Sequence, residues 1–282
     1  MSLVDHSVAL PKIPGVPASS TFEFFMNWKT PFATALIYAI SVHMLNPSAA
    51  QAKVSRVKAK KQLNGKLSKS GPLLTTLILL HNLFLAAYSV LTFVVMVPAL
   101  HKLFHRGQSL HDAYCDNDGF FWNHALGYWG YLFYLSKYYE LLDTVIILLK
   151  GHHCSLLQIF HHAGAIITMW AGIRYSAHPT WIVVVYNSLI HVVMYTYFLL
   201  TSVGFHVPGK QYITSMQISQ LVVGMATAAP YIFKEQCFEG PGRLYLSLII
   251  TTYLTPLTYL FWDFARQSYG KGFSGLSGKK ST

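Results

Sequence analysis

Seven apolar runs punctuate this chain, at roughly 31–48, 73–99, 119–149, 156–173, 181–203, 214–233 and 243–264, each near or above the length needed to cross a bilayer. About 20 apolar residues wound as a helix span the roughly 30 Å hydrocarbon core. Backbone N–H and C=O groups find no water there, so an isolated segment has to satisfy them internally, and that means helix. The expected fold is therefore all-α: a polytopic membrane protein of seven transmembrane helices. With 53% hydrophobic and 11% charged residues, the chain does not suit an ordinary soluble domain. The third run is long enough to tilt or to contain a break.

A net charge of +11 would otherwise suggest nucleic acid, but its distribution argues for a membrane. Lys53, Arg56, Lys58, Lys60, Lys61, Lys66 and Lys69 crowd into one loop after the first apolar run, with no acid among them. Basic residues collect on the cytosolic side of membrane proteins. Placing 49–72, 150–155, 204–213 and 265–282 on that side also gathers Lys150, Lys210, Arg266, Lys271, Lys279 and Lys280 there. Asp5, Glu23, Asp112, Asp116, Asp118, Glu235 and Glu239 then fall opposite. The N-terminus is expected outside and the C-terminus in the cytosol.

Three regions follow. Residues 1–30, with Pro11, Pro14 and Pro17, read as an irregular lumenal leader without the features of a cleavable signal peptide. Residues 31–264 form the membrane domain, and 265–282 a basic cytosolic tail. That tail ends Lys279-Lys280-Ser281-Thr282, a dilysine pattern that addresses a membrane protein to the endoplasmic reticulum. Three cysteines exclude a disulfide-rich scaffold. Cys115 and Cys237 share the non-cytosolic face, where they form either a disulfide or two separate thiols.

Polar groups inside the apolar runs are costly and mark chemistry or transport. In the third run Lys137, Glu140 and Asp143 recur at steps of three, with Thr144 at i+4 from Glu140. Two carboxylates so close in a dry setting need donors or cations facing them. Lys137 supplies one countercharge, and an imidazole can supply another. The fourth run carries Gln158, His161 and His162 at i, i+3 and i+4. Imidazole can act as nucleophile, general base or metal ligand, whereas glutamine can only orient and donate. Asn187, His191 and Tyr195 make a stripe on the fifth run; Thr214, Gln217 and Gln220 follow on the sixth, and His81-Asn82 opens the second. These groups can line one cavity opening to the cytosol. His152-His153 reads as a solvated turn or as a contact to an anionic substrate at the cavity mouth.

Four ordered boxes resemble the ELO family of fatty-acid elongases, the membrane 3-ketoacyl-CoA synthases. KxxExxDT is matched at Lys137, Glu140, Asp143 and Thr144. HxxHH is matched at His161 and His162, with Gln158 at its first position. HxxMYxYY is matched at His191, Met194, Tyr195 and Tyr197, with Phe198 in place of the last tyrosine. TxxQxxQ is matched at Thr214, Gln217 and Gln220. The Gln158 variant resembles elongases of fungi and microalgae, several of which act on polyunsaturated chains.

The resemblance implies seven helices, six of them enclosing a narrow tunnel. It also implies condensation of a long-chain acyl-CoA with malonyl-CoA to a 3-ketoacyl-CoA, CO2 and CoA. The expected catalytic groups are His161, His162, His191 and Asp143. His161 would carry the acyl group, His162 would be tuned by Asp143, and which imidazole is the nucleophile stays open. His191, Asn187, Gln158 or Tyr195 would donate to the enolate. Lys137, Glu140, Gln217 and Gln220 complete the expected substrate contacts, with Lys150 and Lys210 meeting CoA phosphates. No cofactor or metal beyond the two CoA substrates is expected, and no nucleic acid. Other expected partners are the lipid bilayer, further enzymes of the elongation cycle and a second copy of the chain. Two rivals compete: a histidine-box di-iron desaturase or hydroxylase, which would need about eight histidine ligands, and a seven-helix receptor.

Overall fold

The computed structural model describes residues 9–47, 71–106, 109–233, 237 and 242–273. The basic loop at 53–69, Lys234, Glu235, Glu239 and the terminal Lys279-Lys280 lie outside the described residues. The described chain is helical, with no strand among its residues. Its elements are α1 (Ser20–Met26), α2 (Lys29–Leu45), α3 (Pro72–Phe104), α4 (Leu110–Cys115), α5 (Gly127–Tyr139), α6 (Leu142–Leu149), α7 (Leu156–Arg174), α8 (Thr180–Ser202), α9 (Lys210–Phe233), α10 (Gly242–Ile249) and α11 (Thr255–Phe273). A π-helical turn at Trp122–Leu126 leads into α5, and a second at Ile250–Leu254 joins α10 to α11.

Helices α3, α7 and α8 are long and apolar enough to cross a membrane. Their polarity is turned outside-in relative to a soluble protein. On α3, Leu77, Leu80, Leu83, Leu91 and Val94 are exposed, while His81, Asn82, Ser89 and Thr92 are buried. Ser89 and Thr92 return their hydroxyl protons to the carbonyls of Leu85 and Tyr88, which satisfies them without a partner helix. In hydrocarbon, leucine gains nothing by turning inward, so the polar residues mark the inner face. The longest interface is α3 against α8, with α7 packed on α2 and α5, and α9 on α8 and α11.

The leader is not irregular throughout. Ser19 accepts from the N–H of Phe22 at 3.2 Å and starts α1, whose Phe22 and Met26 are buried. The Trp170 indole donates to the Met26 carbonyl at 3.0 Å, tying the leader to α7. The C-terminal tail also begins as helix, since α11 continues to Phe273.

The break in the third apolar run falls at Glu140-Leu141, between α5 and α6. There the backbone tightens to i→i+3 bonds: Leu141 to Tyr138 at 3.3 Å, Asp143 to Glu140 at 3.0 Å and Thr144 to Leu141 at 3.1 Å. At the other end of this run, Asp116 adopts the left-handed conformation (φ 49°) and accepts from the N–H groups of Phe121 and Trp122 at 2.9 and 3.0 Å. Cys115 and Cys237 are joined by a disulfide beside it. Tyr114 and Tyr231 stack with ring centroids 4.1 Å apart, and the Tyr231 hydroxyl donates to the Tyr114 carbonyl at 2.6 Å. This end of the bundle is closed by side chains.

Candidate active site

The helix break separates the carboxylates of Glu140 and Asp143, which then acquire different partners. Glu140 is buried and accepts from Lys137 Nζ at 2.7 Å and from Ser136 Oγ at 3.2 Å, while His191 Nδ1 lies 3.8 Å away. Lys137 also donates to Asn187 Oδ1 at 3.0 Å and sits over the Phe133 ring, 3.9 Å from its centroid. Its charge is thus shared between an acid, an amide and a π face before any substrate arrives.

Asp143 bonds to His81 and Tyr195, not to His162 as the sequence suggested. His81 Nε2 lies 2.9 Å from Oδ1, and the Tyr195 hydroxyl donates to Oδ2 at 2.7 Å. His162 is paired instead with Gln158, whose Nε2 donates to its Nε2 at 2.7 Å. The i,i+4 step on α7 brings these two together, and a glutamine amide there leaves His162 Nε2 as an acceptor. Thr144 is held from a third helix by the hydroxyl of Tyr38 at 2.8 Å.

Tyr253, in the second π-helical turn, donates to the His161 backbone oxygen at 3.0 Å, and its hydroxyl lies 3.3 Å from His161 Nδ1. With its proton committed to the carbonyl, the phenol oxygen can only accept from Nδ1–H. His161 Nε2 is left with the lone pair, the form a nucleophilic imidazole requires. Gly164 makes room for this contact: a Cβ at that position would overlap the Tyr253 ring.

These groups border a cavity of about 450 Å³. Glu140, Asp143, Lys150, Gln158, His161, His162, Asn187, His191, Tyr195, Lys210, Gln217 and Gln220 all line it. The expected site residues from four separated segments are therefore brought together, with Lys150 and Lys210 at helix ends. A second, smaller cavity of about 130 Å³ is predominantly apolar and runs past Ala165, Met169, Ile182 and Ala228 to Gly172 and Thr180. The two share His161, Asn187, Gln220, Leu221 and Leu257 as common walls, and Lys137 borders the smaller one. At about 1.5 Å per residue, the path from His161 to Gly172 along α7 is roughly 17 Å.

His152 and His153 line neither cavity, and Asn46 Nδ2 lies 3.3 Å from His153 Nε2. The sequence reading missed Tyr38 and Tyr253, since one tyrosine in an apolar run carries no signal of what it faces. It noted His81 without giving it a role.

Helical, with polar side chains turned inward around a wet chamber and a dry extension, the protein is an integral membrane protein of enzyme type. Residues 23–275 match the GNS1/SUR4 (ELO) family, and the chain belongs to that family. It is 29% identical over 262 residues to "Fatty acid elongase sre1" of Dictyostelium discoideum, covering 90% of this chain and 87% of that one. It is 33% identical over 228 residues to "Fatty acid elongase 2" of Trypanosoma cruzi, covering 75% of this chain and 80% of that one.

Proposed function

We propose that this chain is a 3-ketoacyl-CoA synthase that condenses a long-chain acyl-CoA with malonyl-CoA. Family membership makes it an enzyme of fatty-acid elongation and decides against the desaturase and receptor readings. The observation that carries the chemistry is His161, standing where the polar chamber meets the apolar cavity with Nε2 free to attack.

In this reading the acyl chain occupies the apolar cavity and its thioester carbonyl reaches His161. Nε2 attacks the carbonyl carbon, the C–S bond breaks, and CoA leaves as the thiol with the proton released from Nδ1. Malonyl-CoA then loses CO2, and the electron pair of that C–C bond becomes the enolate. The enolate carbon attacks the acyl-imidazole; collapse of the tetrahedral intermediate breaks the C–N bond, releases a chain two carbons longer, and the departing imidazole takes up one proton from solvent at Nδ1 to become neutral again.

Developing negative charge needs fixed donors. The Tyr195 hydroxyl already donates its hydrogen bond to Asp143, and Gln158 donates to His162. Asn187 accepts from Lys137 through Oδ1, and among the described residues nothing accepts from its Nδ2, which leaves that amide to face the oxyanion. Lys150 and Lys210 suit the CoA phosphates.

Around this chamber we place seven membrane spans, six of them forming the tunnel wall, with the N-terminus lumenal and the C-terminus cytosolic in the endoplasmic reticulum. The match between helical segments and the seven apolar runs supports the count, and the Lys/Arg distribution supports the orientation.

Purified enzyme given labelled malonyl-CoA and an acyl-CoA should form the 3-ketoacyl product. His161→Ala should lower turnover by at least about 100-fold while the protein still elutes as a folded species. Near-normal turnover of that variant would remove the assignment. Asn187→Asp keeps an acceptor for Lys137 but loses the amide donor; it should depress condensation while acylation of His161 persists.

A further inference from the structure

Resting on that reading, we propose that His81, which lines neither cavity, is a positioning residue that sets the geometry of condensation through Asp143 and Tyr195. The observation is a chain of contacts running from α3 through α6 to α8. His81 Nε2 lies 2.9 Å from Asp143 Oδ1, Asp143 Oδ2 accepts from Tyr195 at 2.7 Å, and the Tyr195 ring meets the His191 ring edge-on with centroids 5.2 Å apart. His191 in turn has Nδ1 3.8 Å from Glu140. Its ring is therefore held between Tyr195 on one side and a buried carboxylate on the other.

His81 is built to hold still. Its side chain is 5% exposed, and its ring stacks on Tyr139 with centroids 5.2 Å apart. Nδ1 is buried with no hydrogen-bond partner. A proton on Nδ1 would be an orphaned buried donor, so the proton belongs on Nε2, facing the carboxylate. An imidazole held in this way is a one-way donor to the carboxylate.

The consequence lies at Asp143, whose side chain is 19% exposed, toward the larger cavity. That chamber has to admit two anionic CoA thioesters. Both carboxylate oxygens are bonded to donors, one on α3 and one on α8, and the charge is drawn toward the wall instead of projecting into the chamber. Without His81 the carboxylate is free to swing toward nearer donors, and Tyr195 and the His191 ring lose their fixed reference. Binding of either CoA ester does not use His81, so the effect belongs in turnover.

The test is a double-mutant cycle on full-length enzyme in detergent: wild type, His81→Ala, Asp143→Asn and the pair, with His81→Gln and His81→Phe beside them. His81→Ala should lower kcat about tenfold or more, with both KM values within about twofold of wild type. His81→Gln, whose amide can still donate to the carboxylate, should regain most of the loss; His81→Phe, which keeps only the stacking on Tyr139, should not. The pair should be no slower than Asp143→Asn alone. Losses that simply multiply, a loss confined to KM, or rescue by phenylalanine would overturn the proposal. Thermal unfolding of the same four proteins reads the His81–Asp143 coupling whatever the reaction proves to be, and additive losses of stability there would also overturn it. A wild type that folds with full coupling but does not condense malonyl-CoA would instead sink the function proposed above.

Discussion

The Tyr253 hydroxyl donates to the backbone oxygen of His161 at 3.0 Å, and in the mechanism proposed above this one bond decides which imidazole nitrogen attacks. A phenol that has spent its proton can only accept, so Nδ1 keeps its hydrogen and Nε2 carries the lone pair. Tyr253→Phe should therefore lower kcat roughly tenfold with little change in KM. Gly164→Ala should produce a similar loss from the other side, by driving the ring away. Steady-state kinetics on both variants check this; an unaffected Gly164→Ala enzyme would show that the contact is dispensable.

Buried ion pairs are costly to break singly. Lys137 and Glu140 are each 4% exposed and 2.7 Å apart. Either Lys137→Met or Glu140→Gln alone should cost about 3–5 kcal/mol of stability, read as a lowered melting temperature in detergent. The double variant should cost clearly less than the sum, because no uncompensated charge remains.

The apolar cavity should act as a measuring space. Gly224 borders it, and an added Cβ there meets nothing closer than 3.7 Å. Gly224→Phe should accordingly fold and fill part of the cavity. Each buried methylene gains about 0.8 kcal/mol only while room remains, so the product distribution should shift to shorter chains with modest loss of total turnover. Chromatography of the fatty acids formed from a series of acyl-CoAs would show it; an unchanged distribution would mean that the chain lies elsewhere.

A pH dependence is built into the end of the bundle closed by the disulfide. His178 lies between the rings of Phe121 and Tyr231, and its Nδ1 is 3.6 Å from Asp116. Burial pushes its imidazole down to about 3. The unfolded chain binds that proton near its ordinary value of about 6.5, so falling pH favours unfolding by about 1.4 kcal/mol per unit between these limits. Burial raises the Asp116 carboxyl above the usual range, which works in the opposite sense at the acid end. His178→Phe should flatten the decline of melting temperature between pH 7 and 5, and an equal decline in both proteins would reject the assignment.

The helical architecture and the boxes were legible because membrane burial leaves so few ways to satisfy a backbone, and because polar residues stand out among leucines. The break at Glu140-Leu141 was only half legible: length suggested it, but the tightened turn that separates the two carboxylates depends on packing. Pairing was the hardest to read. Periodicity places Asp143 on a face of α6, yet nothing in it says that α3 supplies the imidazole and α7 does not. Likewise, the hydroxyls of Tyr38 and Tyr253 reach their partners across 106 and 92 residues of chain, a separation that local pattern does not encode.

His161 stands on a frontier, with an oily recess on one side and a chamber wide enough for water on the other. An acyl group parked on its nitrogen would be an activated ester analogue within reach of solvent. Each cycle then becomes a race between the carbon nucleophile and hydrolysis. The mechanism proposed above would therefore carry a latent thioesterase, and liberated fatty acid, measured with malonyl-CoA left out, would report how well the chamber stays dry.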